Sequence, residues 1–220
     1  MDRQMTKGFF ITFEGGEGTG KSTQCHLLAE TLETKGISTL LTREPGGSPG
    51  AEEIRSLLVN GDKGRWDSLT EMLLFMAARR NHLMTRILPA MEEGKVVICD
   101  RFLDSTLAYQ GYGYGKKQET IDAINSVYHL IAGDLYPNLT IVLDIDPDIG
   151  LKRSLERMGN TEKRFESMDI SFHQNLRQGF LDLARGNDRY AVIDATESID
   201  NIHRQISDLV LRKVSNGNTV

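Results

Sequence analysis

The segment Gly15-Gly-Glu-Gly-Thr-Gly-Lys-Ser22 carries residue types suited to one kind of chemistry. Glycines let the backbone turn its N–H groups inward around phosphate oxygens, and a helix opening at the lysine adds the partial positive charge of its N-terminus. The pattern G-x-x-x-x-G-K-[ST] predicts a nucleoside triphosphate cradle built from Gly15, Gly16, Glu17, Gly18, Thr19, Gly20, Lys21, Ser22 and Thr23. Lys21 should reach the β- and γ-phosphates, and the Ser22 hydroxyl should ligate magnesium. A chance glycine-rich turn would lack the flanks seen here, an apolar run at Phe9–Phe13 and a helical pattern behind it.

A second run, Lys95-Val-Val-Ile-Cys-Asp100, puts a carboxylate at the carboxyl end of a buried strand, where open α/β sheets place their ligands. A lone strand-end aspartate is as often a cap for the next turn. Beside a phosphate cradle, Asp100 is better read as orienting magnesium or its waters. Arginines recur near strand and loop ends, at Arg43, Arg55, Arg79, Arg80 and Arg101. Each alone is more often a solvated surface charge, but together they would form a second phosphate site, because guanidinium forks bind phosphate oxygens in pairs. Phe75 and Arg79 are four apart on one helical pattern and so share a face, where one could stack on a base while the other donates to its carbonyl. The D-x-x-G switch and N-K-x-D guanine reader of regulatory GTPases are both missing from the sequence.

The elements that must position these groups follow from periodicity. Short apolar runs at Phe9–Phe13, Thr39–Leu41, Val96–Cys99, Thr140–Leu143 and Ala191–Ile193 alternate with longer helical patterns, near 21–35, 50–59, 69–92, 118–131, 148–157, 170–185 and 199–213. Near-continuous apolar strands separated by helices predict one five-stranded doubly wound parallel sheet, covered on both faces. The alternating glycines of Gly111–Lys117 predict a mobile loop. With 220 residues, 39% of them hydrophobic, and a net charge of −5, the chain reads as one globular domain spanning 1–220. The negative charge argues against broad binding of nucleic acid or membrane surfaces. Cys25 and Cys99 stand apart without ligand spacing, and no apolar run nears the ~20 residues of a membrane span, so a reduced, cytoplasmic protein is expected. The five histidines are scattered and are assigned no chemistry.

Taken as a set, the P-loop with Glu17, the turn Arg43-Glu-Pro-Gly-Gly47, Phe75 with Arg79, Asp100-Arg-Phe102 and Ala108-Tyr-Gln-Gly111 closely resemble bacterial thymidylate kinases, from about Phe9 to Leu211. The resemblance implies the three-layer α/β fold of P-loop nucleoside monophosphate kinases, with ATP as donor, dTMP as acceptor and Mg2+ as cofactor. It places Phe75 on thymine and Arg79 on its O4, with Ser105, Tyr109 and Gln110 completing the pocket beside Pro45. Arg43, Arg55 and Arg101 would hold the monophosphate, and Glu17 would accept from the sugar 3′-hydroxyl. Lys21, Arg101, Asp100 and Arg164 would act on the transferred phosphoryl group. A lid at about 153–165 would carry Arg164 as the catalytic arginine, with Arg153 or Arg157 over the adenine. Some members of the family instead carry a basic residue at the position of Gly18. The resemblance also favours a homodimer through the Leu- and Met-rich segment Leu69–Glu92. A kinase for another nucleoside monophosphate or a deoxynucleoside, and a nucleotide-binding regulator that transfers nothing, remain the alternatives at this stage.

Overall fold

The computed structural model describes residues 8–60, 65–157 and 168–217. Five parallel strands, β1 (Phe9–Glu14), β2 (Thr39–Arg43), β3 (Val96–Asp100), β4 (Leu139–Asp144) and β5 (Tyr190–Asp194), form one sheet in the order β2-β3-β1-β4-β5. The chain returns to opposite sides of β1, which pairs with β3 in the register Phe13 to Asp100 and with β4 in the register Phe13 to Ile141. That reversal opens a crevice at the carboxyl ends of β1 and β3, where ligands of open α/β sheets bind.

Alternate side chains of the strands feed two layers. On one face Ile11, Phe13, Ile98 and Ile141 pack against Leu28 and Leu32 of α1 (Lys21–Thr34) and Ile206 and Val210 of the last helix, Ile199–Gly217. On the other, Phe10, Val97 and Cys99 meet Met72 and Met76 of α3 (Ser68–His82) and Ile124 and Tyr128 of α6 (Gln118–Ala132). Val142 is covered by Phe172, Leu176 and Phe180 of α8 (Ile170–Ala184). The remaining helices are α2 (Pro49–Val59), α4 (Leu88–Glu92), α5 (Leu103–Thr106) and α7 (Pro147–Arg157).

Two departures from the periodicity matter to the site. The helical pattern expected over 69–92 is interrupted by a π-helical turn at Leu83–Ile87, just ahead of Pro89, whose ring cannot donate to the carbonyl one turn back. The expected loop at Gly111–Lys117 begins later than predicted. Leu103–Thr106 is helical and Leu107–Tyr112 continues as a π-helical segment, with Tyr112 buried. The glycines there serve packing: a Cβ on Gly111 would come within 2.8 Å of Ile121, and one on Gly113 within 2.3 Å of Phe172. The lid expected at about 153–165 begins inside α7, and its remainder, with Arg164, lies outside the described residues.

Candidate active site

The loop between β1 and α1 sets the site. Gly20 caps α1 with φ +91°, and Gly18 has φ +67°, where a Cβ would sit 1.9 Å from the Gly150 carbonyl oxygen of α7. Position 18 therefore has no room for any side chain. Lys21, 7% exposed, folds over the loop and donates to the carbonyls of Gly15 (3.0 Å) and Gly16 (2.6 Å) and to the Thr19 hydroxyl (3.2 Å). Burial, then the nearby Arg101 charge, lowers the Lys21 ammonium to a pKa of about 8; an anionic phosphate beside it would raise that value again. Ser22 donates a short hydrogen bond to Asp100 Oδ2, so the two oxygens expected to face magnesium are neighbours on the cavity wall.

In front of the loop is a cavity of about 520 Å³. Its lining includes Glu17, Lys21 and Ser22 of the P-loop, Arg43, Pro45 and Arg55 from the end of β2, the turn after it and α2, Phe75 and Arg79 of α3, and Arg101, Ser105, Tyr109 and Gln110. These residues come from separate segments, each set by a local feature. Asp67 caps α3 by accepting from Leu69 N and Thr70 N, starting the helix that carries Phe75 and Arg79. The π-helical segment delivers Tyr109 and Gln110, and Gln110 Nε2 is fixed by Glu71 Oε1 at 2.9 Å. The turn after β2 contains a cis Glu44–Pro45 peptide, and Arg55 Nη1 donates to the Pro45 carbonyl at 2.7 Å. Arg43 pairs with Glu52 at 3.1 Å at the exposed rim.

Arg101 lies at the centre. Its φ of +69° is the single positive value of a non-glycine residue among the described residues, a conformation that costs of order 1–3 kcal/mol and clusters at functional sites. The flanking backbone holds it there: Arg101 N donates to Phe13 O (2.9 Å) and Phe102 N to Glu14 Oε1 (2.8 Å). Arg101 Nη2 donates to both oxygens of Glu17 (3.0 and 3.1 Å), and Nη1 donates to Gly15 O and Ser105 Oγ. Tyr109 donates a short hydrogen bond to Glu17 Oε1. Burial alone would raise the Glu17 carboxyl, but Arg101, Lys21 and the Tyr109 hydroxyl outweigh it and pull the pKa down to about 2. Burial likewise opposes the charge of Arg101, yet Tyr109, Glu17 and Asp100 together raise its pKa above the usual arginine range.

Two buried carboxylates support the site, Glu14 behind the lining and Glu44 within it, and neither role is legible in the sequence. Glu14 accepts from Phe102 N and from Ser105 Oγ (2.6 Å), and burial, then Asp104, raises it to a pKa of about 8. Glu44 binds Arg79 and His82. Of the other expected residues, Thr23 does not line the cavity, and Arg153 instead donates to the Ala195 carbonyl beyond β5 at 2.8 Å. Arg80, grouped in the sequence with the arginines of the second phosphate site, points away and donates to Ile131 O. The Arg157 side chain and Arg164 lie outside the described residues.

A phosphate loop at the switch point of a parallel sheet, facing arginines and an aromatic ring across one cavity, defines a P-loop phosphotransferase of the nucleoside monophosphate kinase type. The comparisons with known proteins narrow it. The thymidylate kinase family model matches residues 13–206. A thymidylate kinase of Caulobacter vibrioides is 49% identical over 211 residues, covering 96% of this chain and 99% of the relative. One from Halalkalibacterium halodurans is 43% identical and matches 96% of this chain and all (100%) of its own length. The crystal structure of thymidylate kinase from Ehrlichia chaffeensis superposes with a TM-score of 0.72 at 38% identity, covering 93% of this chain and 98% of that one. The chain belongs to the thymidylate kinase family.

Proposed function

We propose that this cavity seats dTMP with its base at the Phe75 and Arg79 end and its phosphate facing the P-loop, ready to accept from ATP. The enzyme transfers the γ-phosphoryl group of ATP to dTMP, giving dTDP and ADP. The observation that carries the binding mode is the single cavity joining Lys21 and Ser22 to Phe75 and Arg79. Arg79 lines the cavity although it is 2% exposed, and a guanidinium there suits a pyrimidine O4 acceptor. Glu17 ends beside Tyr109 and Arg101, where a sugar hydroxyl would meet a carboxylate. Arg43, Arg55 and Arg101 line the same cavity and suit a monophosphate.

The acceptor is already an anion, so the site has little proton chemistry to perform. Its work is alignment and charge stabilisation. Lys21 and the loop N–H groups hold the donor phosphates, and Arg101, charged under all working conditions, holds the acceptor. Magnesium fits the paired oxygens of Ser22 and Asp100: no group of three or more His, Cys, Asp or Glu that could hold a metal occurs among the described residues, as suits an ion held by one or two protein oxygens plus phosphates and water. When bound, it would neutralise charge on the β- and γ-phosphate oxygens. The absence of space at Gly18 for a basic side chain supports assigning the catalytic arginine to the lid, as Arg164.

Exposed Leu69 (58%), Leu73 (48%) and Met84 (46%) on α3 and the turn after it support a homodimer through this face, which light scattering on the purified protein would measure. Buried, unpaired Cys25 and Cys99 suit a reducing cytoplasm, and no described helix is long and apolar enough to cross a membrane. An ADP-release assay over a panel of acceptors tests the substrate assignment. dTMP should give the highest kcat/KM, and a clear lead for dCMP or dGMP would overturn it.

A further inference from the structure

Arg79 is held by a chain of buried contacts. Arg79 Nε donates to Glu44 Oε2 at 2.7 Å, and His82 Nδ1 meets Glu44 Oε1 at 3.0 Å. His82 Nε2 meets Thr42 Oγ1 at 2.7 Å. Arg79 Nη2 donates to Thr106 Oγ1 at 3.0 Å, while Nη1 has a weak contact, at 3.4 Å to the Met76 thioether. His82 is 0% exposed and Glu44 6%. A buried guanidinium demands a partner, and the partner's position fixes how the planar fork is turned. With Nε held and one hydrogen of each terminal nitrogen engaged, one N–H on Nη1 and one on Nη2 are left for a ligand.

The chain runs the other way too. Glu44 sits in the turn between Arg43 and Pro45, and its backbone N donates to the Asp100 carbonyl at 3.0 Å. A Cβ on Gly47 would lie 2.4 Å from both His82 Nε2 and Thr42 Oγ1, so the turn is packed directly on the imidazole. Arg79 and His82 are three apart on α3, on one helix face. The imidazole thus joins the helix that carries the base-facing residues to the turn that carries the phosphate-facing ones.

We propose that Glu44 and His82 are positioning residues that aim Arg79 at the nucleobase and tie that aim to the Arg43–Gly47 turn, so that they determine base choice through the orientation of Arg79. The inference rests on the reading of Arg79 as the residue that faces the base. Thymine offers a carbonyl at its 4-position where cytosine offers an amino group, so an aimed guanidinium donates to the first and repels the second. A guanidinium free to turn would discriminate less.

The test measures kcat/KM for dTMP and for dCMP, and KM for ATP, in the wild type and in Arg79→Ala, His82→Asn and Thr42→Val, with thermal melts to show folding. Arg79→Ala should lower the dTMP-over-dCMP preference about 5- to 150-fold, the range of one good base contact. His82→Asn should lower it at least about threefold, mainly by raising KM for dTMP, with KM for ATP unchanged. If His82→Asn does not fold, Thr42→Val, which removes one hydroxyl at constant shape, decides by the same criterion. A preference unchanged in the deciding variant, or a loss equal for both acceptors, would show a merely structural role and overturn the proposal while leaving Arg79 as base reader. An unchanged preference in Arg79→Ala would remove the base-reading assignment itself, and the inference with it.

Discussion

The geometry at Glu17 allows its role to be measured as a coupling. Its Oε1 accepts from Tyr109 and from Arg101 Nη2, and its Oε2 from Arg101 Nη2 at 3.1 Å. A carboxylate has about four acceptor positions, so one on Oε2 is left for a hydroxyl. Its pKa of about 2 keeps it ionised throughout any practical assay. A hydrogen bond to a charged group contributes about 1.5–3 kcal/mol, so losing it should cost roughly 10- to 150-fold in kcat/KM. Glu17→Gln alone would also leave Arg101 without its ion-pair partner, and that loss must be separated. The separation comes from a cycle in which wild type and Glu17→Gln are each assayed with dTMP and with 3′-deoxythymidine 5′-monophosphate, following ADP release. Damage through Arg101 affects both acceptors equally and cancels. The wild type should lose about 10- to 150-fold on removal of the 3′-hydroxyl, and the variant no more than about threefold, because its partner is already weakened. An equal loss in both enzymes would refute the assignment of Glu17 to the sugar.

Arg164→Ala should lower kcat by about 10³-fold or more with little change in KM for dTMP, as expected of a group that acts on transition-state charge; single-turnover kinetics check it, and normal turnover would remove Arg164 from the mechanism. Asp100→Asn should raise the magnesium concentration needed for half-maximal rate, read by titrating the metal at fixed ATP, and chelation should abolish turnover of the wild type. Glu14 gives a pH signature: with its carboxyl raised from 4.5 to about 8 by burial and Asp104, the folded state holds a proton that the unfolded chain releases. Its contribution to stability is therefore complete below 4.5 and is lost as pH rises to about 8. Melting temperatures across that window should fall less steeply in Glu14→Gln than in the wild type. Glu17 acts in the opposite sense, stabilising above 4.5 and losing that contribution as pH falls towards about 2.

The sheet and the phosphate loop were legible because their signals are local. Short, β-branched apolar runs such as Val96–Cys99 suit strands covered on both faces, and the loop glycines stand at fixed spacing ahead of Lys21. The segment 103–113 was not legible. Gly111 and Gly113 look like chain breakers, but they pack against Ile121 and Phe172, contacts made between separate elements. Arg80 and Arg79 are adjacent in sequence, and only the helix phase sends one into the cavity and the other to Ile131. The supporting carboxylates were hidden for a related reason. Glu14 reads as the last residue of a strand and Glu44 as part of a turn, and their roles appear only where chain separations of 88 and 35 residues are closed. His82 did leave a trace, three residues after Arg79 on the same helix face, but the histidines as a set show no ligand spacing.

The orientation of the acceptor in the cavity decides every role assigned to these residues, and a crystal structure with dTMP and a non-hydrolysable ATP analogue would show it. Thymine should lie against Phe75 with O4 on Arg79, the 3′-hydroxyl on Glu17, and the monophosphate among Arg43, Arg55 and Arg101, facing the donor held by Lys21. A thymine ring bound away from Phe75 and Arg79, or a monophosphate that touches none of the three arginines, would contradict it.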